Sequence, residues 1–321
     1  MAATVLAVAG TTPGPAGAQP AADPVEQYEQ LSGQAEKLND DVLKAQENLD
    51  AKKGELDRAG ADLKAAQDAQ EQLRGRVDVL TEATFQGARF NGVSALLVSD
   101  SQQDFLNRMS AINLLASDNA EALDNLAAAV GKADEARQRA QQATDEAAKH
   151  ADELKQRKSE LDGRVNELRK AMNNLSASQK SSLGLGQVKD TGTYLGPPGA
   201  ANTALQTALS KRGSQYQWGG NGPNAFDCSG LTKFAYAAAG VTIPRVAVDR
   251  YRVGRPVAQN ELQPGDLVFY DDGTGNPAAI HHVAMYVGEG KMVDAPTEGQ
   301  LVDVRPIRGD GHYIGARRIV G

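Results

Sequence analysis

The stretch YQWGGNGPNAFDCSGLTKFAYAAAG, residues 216–240, decides how the rest of the chain is read. A loop rich in Gly, Asn and Pro runs straight into an Ala-rich apolar helix, and Cys228, the single cysteine of the sequence, stands at the junction. Asp227 suits the N-cap, because its side chain can accept from the unpaired amides of the first turn. The thiol then sits at a helix N-terminus, where the dipole favours an anion and a cysteine shifts toward thiolate. A buried, inert thiol is the commoner fate of cysteine. Polar Asp227 and Ser229 on either side make this corner a poor place to hide one.

Downstream of Gly240 the chain reads as short strands: 266–270, 281–288, 291–296, 301–307 and 313–320. Their β-branched residues and intervening glycines predict an antiparallel sheet. A hairpin turning through Gly288, Glu289 and Gly290 pairs Val287 with Lys291 and puts Ala284 opposite Asp294. His282 then shares a sheet face with Asp294, while the adjacent His281 points to the other face. An imidazole beside a carboxylate, with a thiol brought across, makes a Cys-His-Asp relay: thiolate attack, imidazole as acid and base, carboxylate orienting the ring. Taken alone, a His and an Asp on a hairpin are weak evidence, since most histidines are not catalytic.

Upstream, residues 24–178 are a different kind of polymer, rich in Ala, Leu, Gln and charge. From Tyr28 a period of seven runs through Ala35, Val42, Leu49, Leu56, Leu63, Gln70 and Val77, with Leu31, Leu38, Ala45, Lys52, Ala59, Ala66, Leu73 and Leu80 between. A seam this long calls for a partner helix and a left-handed supercoil. A second register starts at Met109 and ends near Leu175, with a weak Ala-rich middle. Gly87, Gly92 and the Ser-Asp pair at 99 and 100 punctuate the join, and either member of that pair could cap the following helix. Two antiparallel helices about 80 to 100 Å long satisfy the pattern, paired within one chain or between two. Phe85, Phe90, Leu96, Leu97 and Phe105 at the tip point to a docking end, the plainer alternative being a spacer or dimerisation rod.

Residues 1–23 read as a secretion-signal remnant or disordered leader, with cleavage near Ala16 to Ala18. Residues 179–200 read as a flexible Ser/Gly/Pro linker, and 201–321 as the chemical domain. The net charge is -7, from 34 basic and 41 acidic side chains. That acidity, carried mostly by the heptad region, is unsuited to nucleic acid or an anionic membrane surface. No stretch in the sequence approaches the ~20 apolar residues of a membrane span.

The segment at 216–240, followed by PRVAVDRY at 244–251, LQPGDLVFY at 262–270 and HHVAMYVGEGKMVDAP at 281–296, resembles the NlpC family (p-sixty type) of peptidoglycan endopeptidases. The resemblance implies an α+β papain-like fold preceded by an all-α antiparallel coiled-coil hairpin. It implies Cys228 as nucleophile, His282 as base and Asp294 as third member, where relatives often carry His or Glu. Tyr216 falls near the thiolate and oxyanion, Asp227 and Ser229 line the substrate subsite, and Arg245 is a further cleft residue. Arg250 stands where the family often has Gln. The implied substrate is the peptidoglycan stem peptide, cut between γ-D-Glu and diaminopimelate, with no cofactor. The heptad region with DFLNRMSAINLLASDNAEAL is similar to division-linked hydrolases of the actinobacterial Rip group. That likeness implies secretion, control by the coiled coil and recruitment by the extracellular part of an FtsX-type membrane protein. Two rivals remain: a zinc enzyme using His281, His282, Asp294 and His312, and an inactive scaffold that activates other hydrolases. His150 reads as a solvated residue of the coiled coil.

Overall fold

A computed structural model describes residues 23–88, 101–309 and 312–320. The leader with its cleavage site, and Phe90, Gly92, Leu96, Leu97, Ser99 and Asp100 of the tip, lie outside these residues. Two long helices, α1 (Pro24–Ala88) and α2 (Gln102–Asn174), carry the heptad sequence. The cap of α2 falls on Ser101, whose hydroxyl accepts from the Asp104 amide at 3.1 Å. Among the described residues no helix is long and apolar enough to cross a membrane.

The chain divides into two compact units, residues 44–158 and residues 1–43 with 159–321. In the first, α1 and α2 of the same chain run antiparallel: Lys52 pairs with Glu146 at 2.7 Å, and Val77 and Leu80 meet Ala122 and Leu123. Small buried residues, Ala129, Ala133, Ala136 and Ala147, let the helices approach. His150 sits 3.5 Å from Glu153 on the same helix.

In the second unit, the start of α1 and the end of α2 join the C-terminal domain. Here Tyr28, Ala35 and Val42 are buried, as are Leu161, Val165 and Leu168. The segment read as a flexible linker is ordered instead. Helix α3 (Ala177–Ser182) is closed by a capping box between Ser176 and Gln179. The irregular run after it is pinned by the Lys189 amide on Asp303 (2.7 Å), by Asp190 on Lys291 (3.2 Å) and by Tyr194, only 7% exposed in the core. Ser/Gly/Pro composition gives freedom only where nothing holds the chain, and a buried Tyr outweighs it.

Helix α4 (Ala200–Leu209) and the short parallel pair β1 (Gln215–Tyr216) and β2 (Ala225–Phe226) lead into α5 (Cys228–Ala238). After α6 (Ala247–Arg250) come β3 (Arg255–Val257), β4 (Leu267–Tyr270), β5 (His282–Gly288), β6 (Lys291–Asp294), β7 (Asp303–Pro306) and β8 (Tyr313–Arg318). These six form one antiparallel sheet in the order β3-β8-β4-β5-β6-β7. Alternation sends Leu267, Phe269, Val283, Met285 and Val293 into the main core with Leu205, Leu231 and Ala235 of α4 and α5. Val268, Tyr270, Ala284, Met292 and Ala316 form a smaller core on the opposite face.

Candidate active site

The loop and helix at 216–240 fold as their sequence dictates. Asp227 caps α5, its Oδ1 accepting from the Gly230 amide at 2.6 Å. Gly230 is obligatory, because a Cβ there would lie 1.9 Å from the Gly220 carbonyl oxygen. The turn is thereby clamped against the preceding loop, and Cys228 is fixed in the first helical position.

The hairpin closes differently from the three-residue loop expected. Tyr286 pairs with Met292 and Gly288 with Lys291, leaving Val287 in a bulge, while Glu289 and Gly290 take positive φ at the turn. Met285 still pairs with Val293, so the register continues to Ala284 opposite Asp294. His282 and Asp294 therefore share a face, and His282 Nε2 lies 2.9 Å from Asp294 Oδ2. Asp294 Oδ1 also accepts from Arg305 Nη1 at 2.6 Å. Cys228 meets this pair at the start of β5, with Sγ 3.8 Å from the His281 carbonyl and the thiol beside the His282 ring. His281 turns its own Nδ1 toward the Ala279 carbonyl at 3.3 Å. His312 lies against Gly273.

The expected subsite residues also converge. Arg245 grips Asp227 with both terminal nitrogens, at 3.0 and 2.6 Å, and reaches Ser229 Oγ. Tyr216 is buried beside Cys228, and its hydroxyl has no hydrogen-bond partner among the described residues. Arg250 differs from a substrate contact. It is fully buried and braces the Pro244 and Ser229 carbonyls and Thr232, and burial lowers its pKa to about 10, still charged at neutral pH.

The sequence reading missed the residues that cover this site. Ser32, Glu36, Asn39 and Asp40 of α1 are 7, 3, 2 and 4% exposed. Glu36 Oε2 stands 3.3 Å from His282 Nδ1, and Asn39 Nδ2 donates to Asp227 Oδ2 at 3.1 Å. Gly33 faces the His281 ring, and a Cβ there would stand 3.9 Å from Nε2, an ordinary contact. Glu298 ties the helix bases down: its carboxylate accepts from Arg169 (2.6 Å) and Trp218 (2.7 Å), and its carbonyl from Tyr28 (3.1 Å).

This cover changes the electrostatics expected of the thiol. Burial pushes the Cys228 thiol above its ordinary value, against the pull of His282, so the helix-terminus argument for a thiolate fails in this conformation. Burial and Arg308 oppose the His282 imidazolium, but Asp294, Cys228 and Glu36 together carry it well above the usual range. Burial would raise Asp294 and Glu36; Arg305 and His282 keep the first low, and His282 the second. Asp40 is the exception. Burial drives it well up, the facing Asp227 carboxylate adds to this, and Arg245 and Arg250 only partly offset it.

The model of the NlpC/P60 family matches residues 213–318. A probable endopeptidase p60 of Listeria seeligeri is 43% identical over 110 residues, covering 34% of this chain and 20% of that protein. A gamma-D-glutamyl-L-lysine dipeptidyl-peptidase of Bacillus cereus is 39% identical over 127 residues, 38% of this chain and 37% of the relative. The chain thus spans well under half of these curated relatives. Among solved structures, the P60 domain of a Mycobacterium avium subspecies paratuberculosis antigen is 34% identical, covering 38% of this chain and 96% of that one at a TM-score of 0.34.

Proposed function

Because this chain belongs to the NlpC/P60 family through residues 213–318, we propose that it is a cysteine endopeptidase cutting the peptide stems of peptidoglycan, held shut by its own helix α1. The observation that carries the chemistry is the contiguous chain Cys228, His282, Asp294. His282 Nδ1 takes the thiol proton, and Sγ attacks the carbonyl carbon of the stem peptide. The ring then returns the proton to the leaving amine, and water hydrolyses the thioester. Asp294 accepts from Nε2 and keeps the ring in the productive tautomer. The amides opening α5 and the unengaged Tyr216 hydroxyl are suited to the developing oxyanion. Asp227, Ser229 and Arg245 form the polar wall of the subsite. The bond between γ-D-Glu and diaminopimelate is the one expected from the family resemblance.

Glu36 supports the restraint. It competes with Sγ for Nδ1 of the ring, while α1 fills the space a substrate would need. The heptad helices act as the regulatory element of a secreted enzyme of cell division. Their distal groove, about 400 Å³ and lined by Val77, Leu80, Phe85, Ala122 and Leu123, suits an apolar segment of an FtsX-type membrane protein.

Purified peptidoglycan digested by the full chain carrying Glu36→Ala, which loosens the cover, with products read by mass spectrometry, tests the proposal. Fragments with a newly exposed diaminopimelate amine are expected from this chain and not once Cys228→Ala is added. Identical products from both sink the nucleophile.

A further inference from the structure

The site contains a charged partner that the three reacting side chains leave unexplained. Asp294 is completely buried, and its two oxygens are divided between His282 Nε2 at 2.9 Å and Arg305 Nη1 at 2.6 Å. Arg305 stands on edge strand β7, paired in register with Met292, which makes it the diagonal neighbour of Asp294 on the same sheet face. Its second terminal nitrogen donates to the Leu301 carbonyl at 3.1 Å, so the guanidinium plane is held at two points. Arg308 lies further off, 4.0 Å from Oδ2.

Aspartate is one methylene shorter than glutamate, so its carboxylate has little freedom to follow a moving ring. A buried carboxylate with only one partner would also tend to take up a proton or turn away. A guanidinium fork removes both problems, because it supplies charge and fixes a plane. We propose that Arg305 is a positioning residue for the reaction: it holds Asp294 Oδ2 on His282 Nε2, and through that contact aims the ring at Cys228. The role rests on the cysteine-peptidase reading. It is not substrate binding, since Arg305 reaches the reacting atoms only through Asp294.

The test uses the full chain carrying Glu36→Ala, with and without Arg305→Gln or Arg305→Lys. Cleavage of muropeptides from purified peptidoglycan is followed from about pH 5 to pH 9. Arg305→Gln is expected to lower kcat roughly tenfold or more, by analogy with other residues that orient a functional ligand, with KM nearly unchanged. Its acid limb moves to higher pH, because Asp294 without the guanidinium takes up a proton sooner. Arg305→Lys restores most of the rate and the limb. Unchanged kcat and acid limb would overturn the role. So would a rate loss uniform in pH that tracks a fall in melting temperature, which would mean only a loosened β7. The rate of Cys228 alkylation by iodoacetamide over the same pH range reads the thiol-imidazole pair without any peptide. A parent chain inert on muropeptides would therefore sink the peptidase reading, while the alkylation profile still decides the claim about Arg305.

Discussion

Replacing Asp40 by Asn should make the full chain less active, although Asp40 belongs to the covering helix. Asp40 is 4% exposed, and it faces the Asp227 carboxylate that Arg245 engages; apart from the Ala247 amide, its oxygens meet little that would hold a charge among the described residues. Closing α1 over the site at neutral pH must therefore bury a charge or first neutralise it. Neutralising an ordinary aspartate at pH 7 costs about 1.4 kcal/mol for each of roughly 3 pH units, so about 4 kcal/mol is the ceiling. Arg245 and Arg250 return part of this. Asn keeps the shape without the charge and can donate to Asp227, against about 1 kcal/mol for burying its amide. A net gain of about 1.4 kcal/mol for the covered form corresponds to a tenfold drop in open chains. Muropeptide cleavage by Asp40→Asn at pH 7 should fall by about that factor, and the difference should vanish near pH 4, where the natural carboxyl is protonated too. Activity equal to or above that of the natural chain at pH 7 would refute the idea that Asp40 works against closure.

Glu36→Ala should speed both cleavage and iodoacetamide labelling of Cys228 by roughly a hundredfold, since breaking a buried ion pair by removing one partner costs about 3 kcal/mol at the low end; no change would mean Glu36 does not restrain the ring. The pH dependence of closure follows from three groups. Asp40, raised when covered, favours closure in acid and loses that contribution as pH climbs; His282, also raised, contributes fully below its ordinary 6.5 and less above; Glu36, lowered, contributes above its ordinary 4.5 and fails below. Labelling of Cys228, corrected for the intrinsic thiolate fraction, should thus be slowest between those two values and rise above neutrality; a flat corrected profile counts against this coupling. Gly230→Ala forces a methyl group onto the Gly220 carbonyl, so it should destabilise by about 2 kcal/mol or more in urea titration and abolish cleavage. Tyr194→Ala should cost about 3 kcal/mol by the same titration, and a fragment beginning at Asn202 should be weakened accordingly; full stability in either would show that the 183–199 segment is not part of the domain.

The meeting of Cys228, His282 and Asp294 was legible because each position rests on a local rule. A cap places Cys228, and strand alternation plus a turn places His282 beside Asp294. The bulge at Val287 did not disturb this, since the residues beyond it keep the expected pairing. The covering residues were illegible for an equally definite reason. In the heptad that starts at Tyr28, Glu36, Asn39 and Asp40 fall outside the seam, at positions that a two-helix coil leaves in water. Only the folded domain turns that face into an interface. Arg305 was equally hidden, because its partner is fixed by β6-β7 pairing and not by its own neighbours in sequence. The expectation of a thiolate failed since it counted the helix terminus and not the burial that α1 imposes.

The same helix carries the seam of Ala35 and Val42 and, from about a seventh of a turn around at Asn39 to more than a third at Asp40, the side chains over the site. A zipper whose apolar positions recur every three or four residues tolerates slippage in half or whole repeats, because other steps push charge into its apolar line. One repeat is about 10 Å of travel, enough to carry Glu36 wholly clear of His282. Sliding would therefore run from shut to clear in steps of about 5 Å rather than continuously.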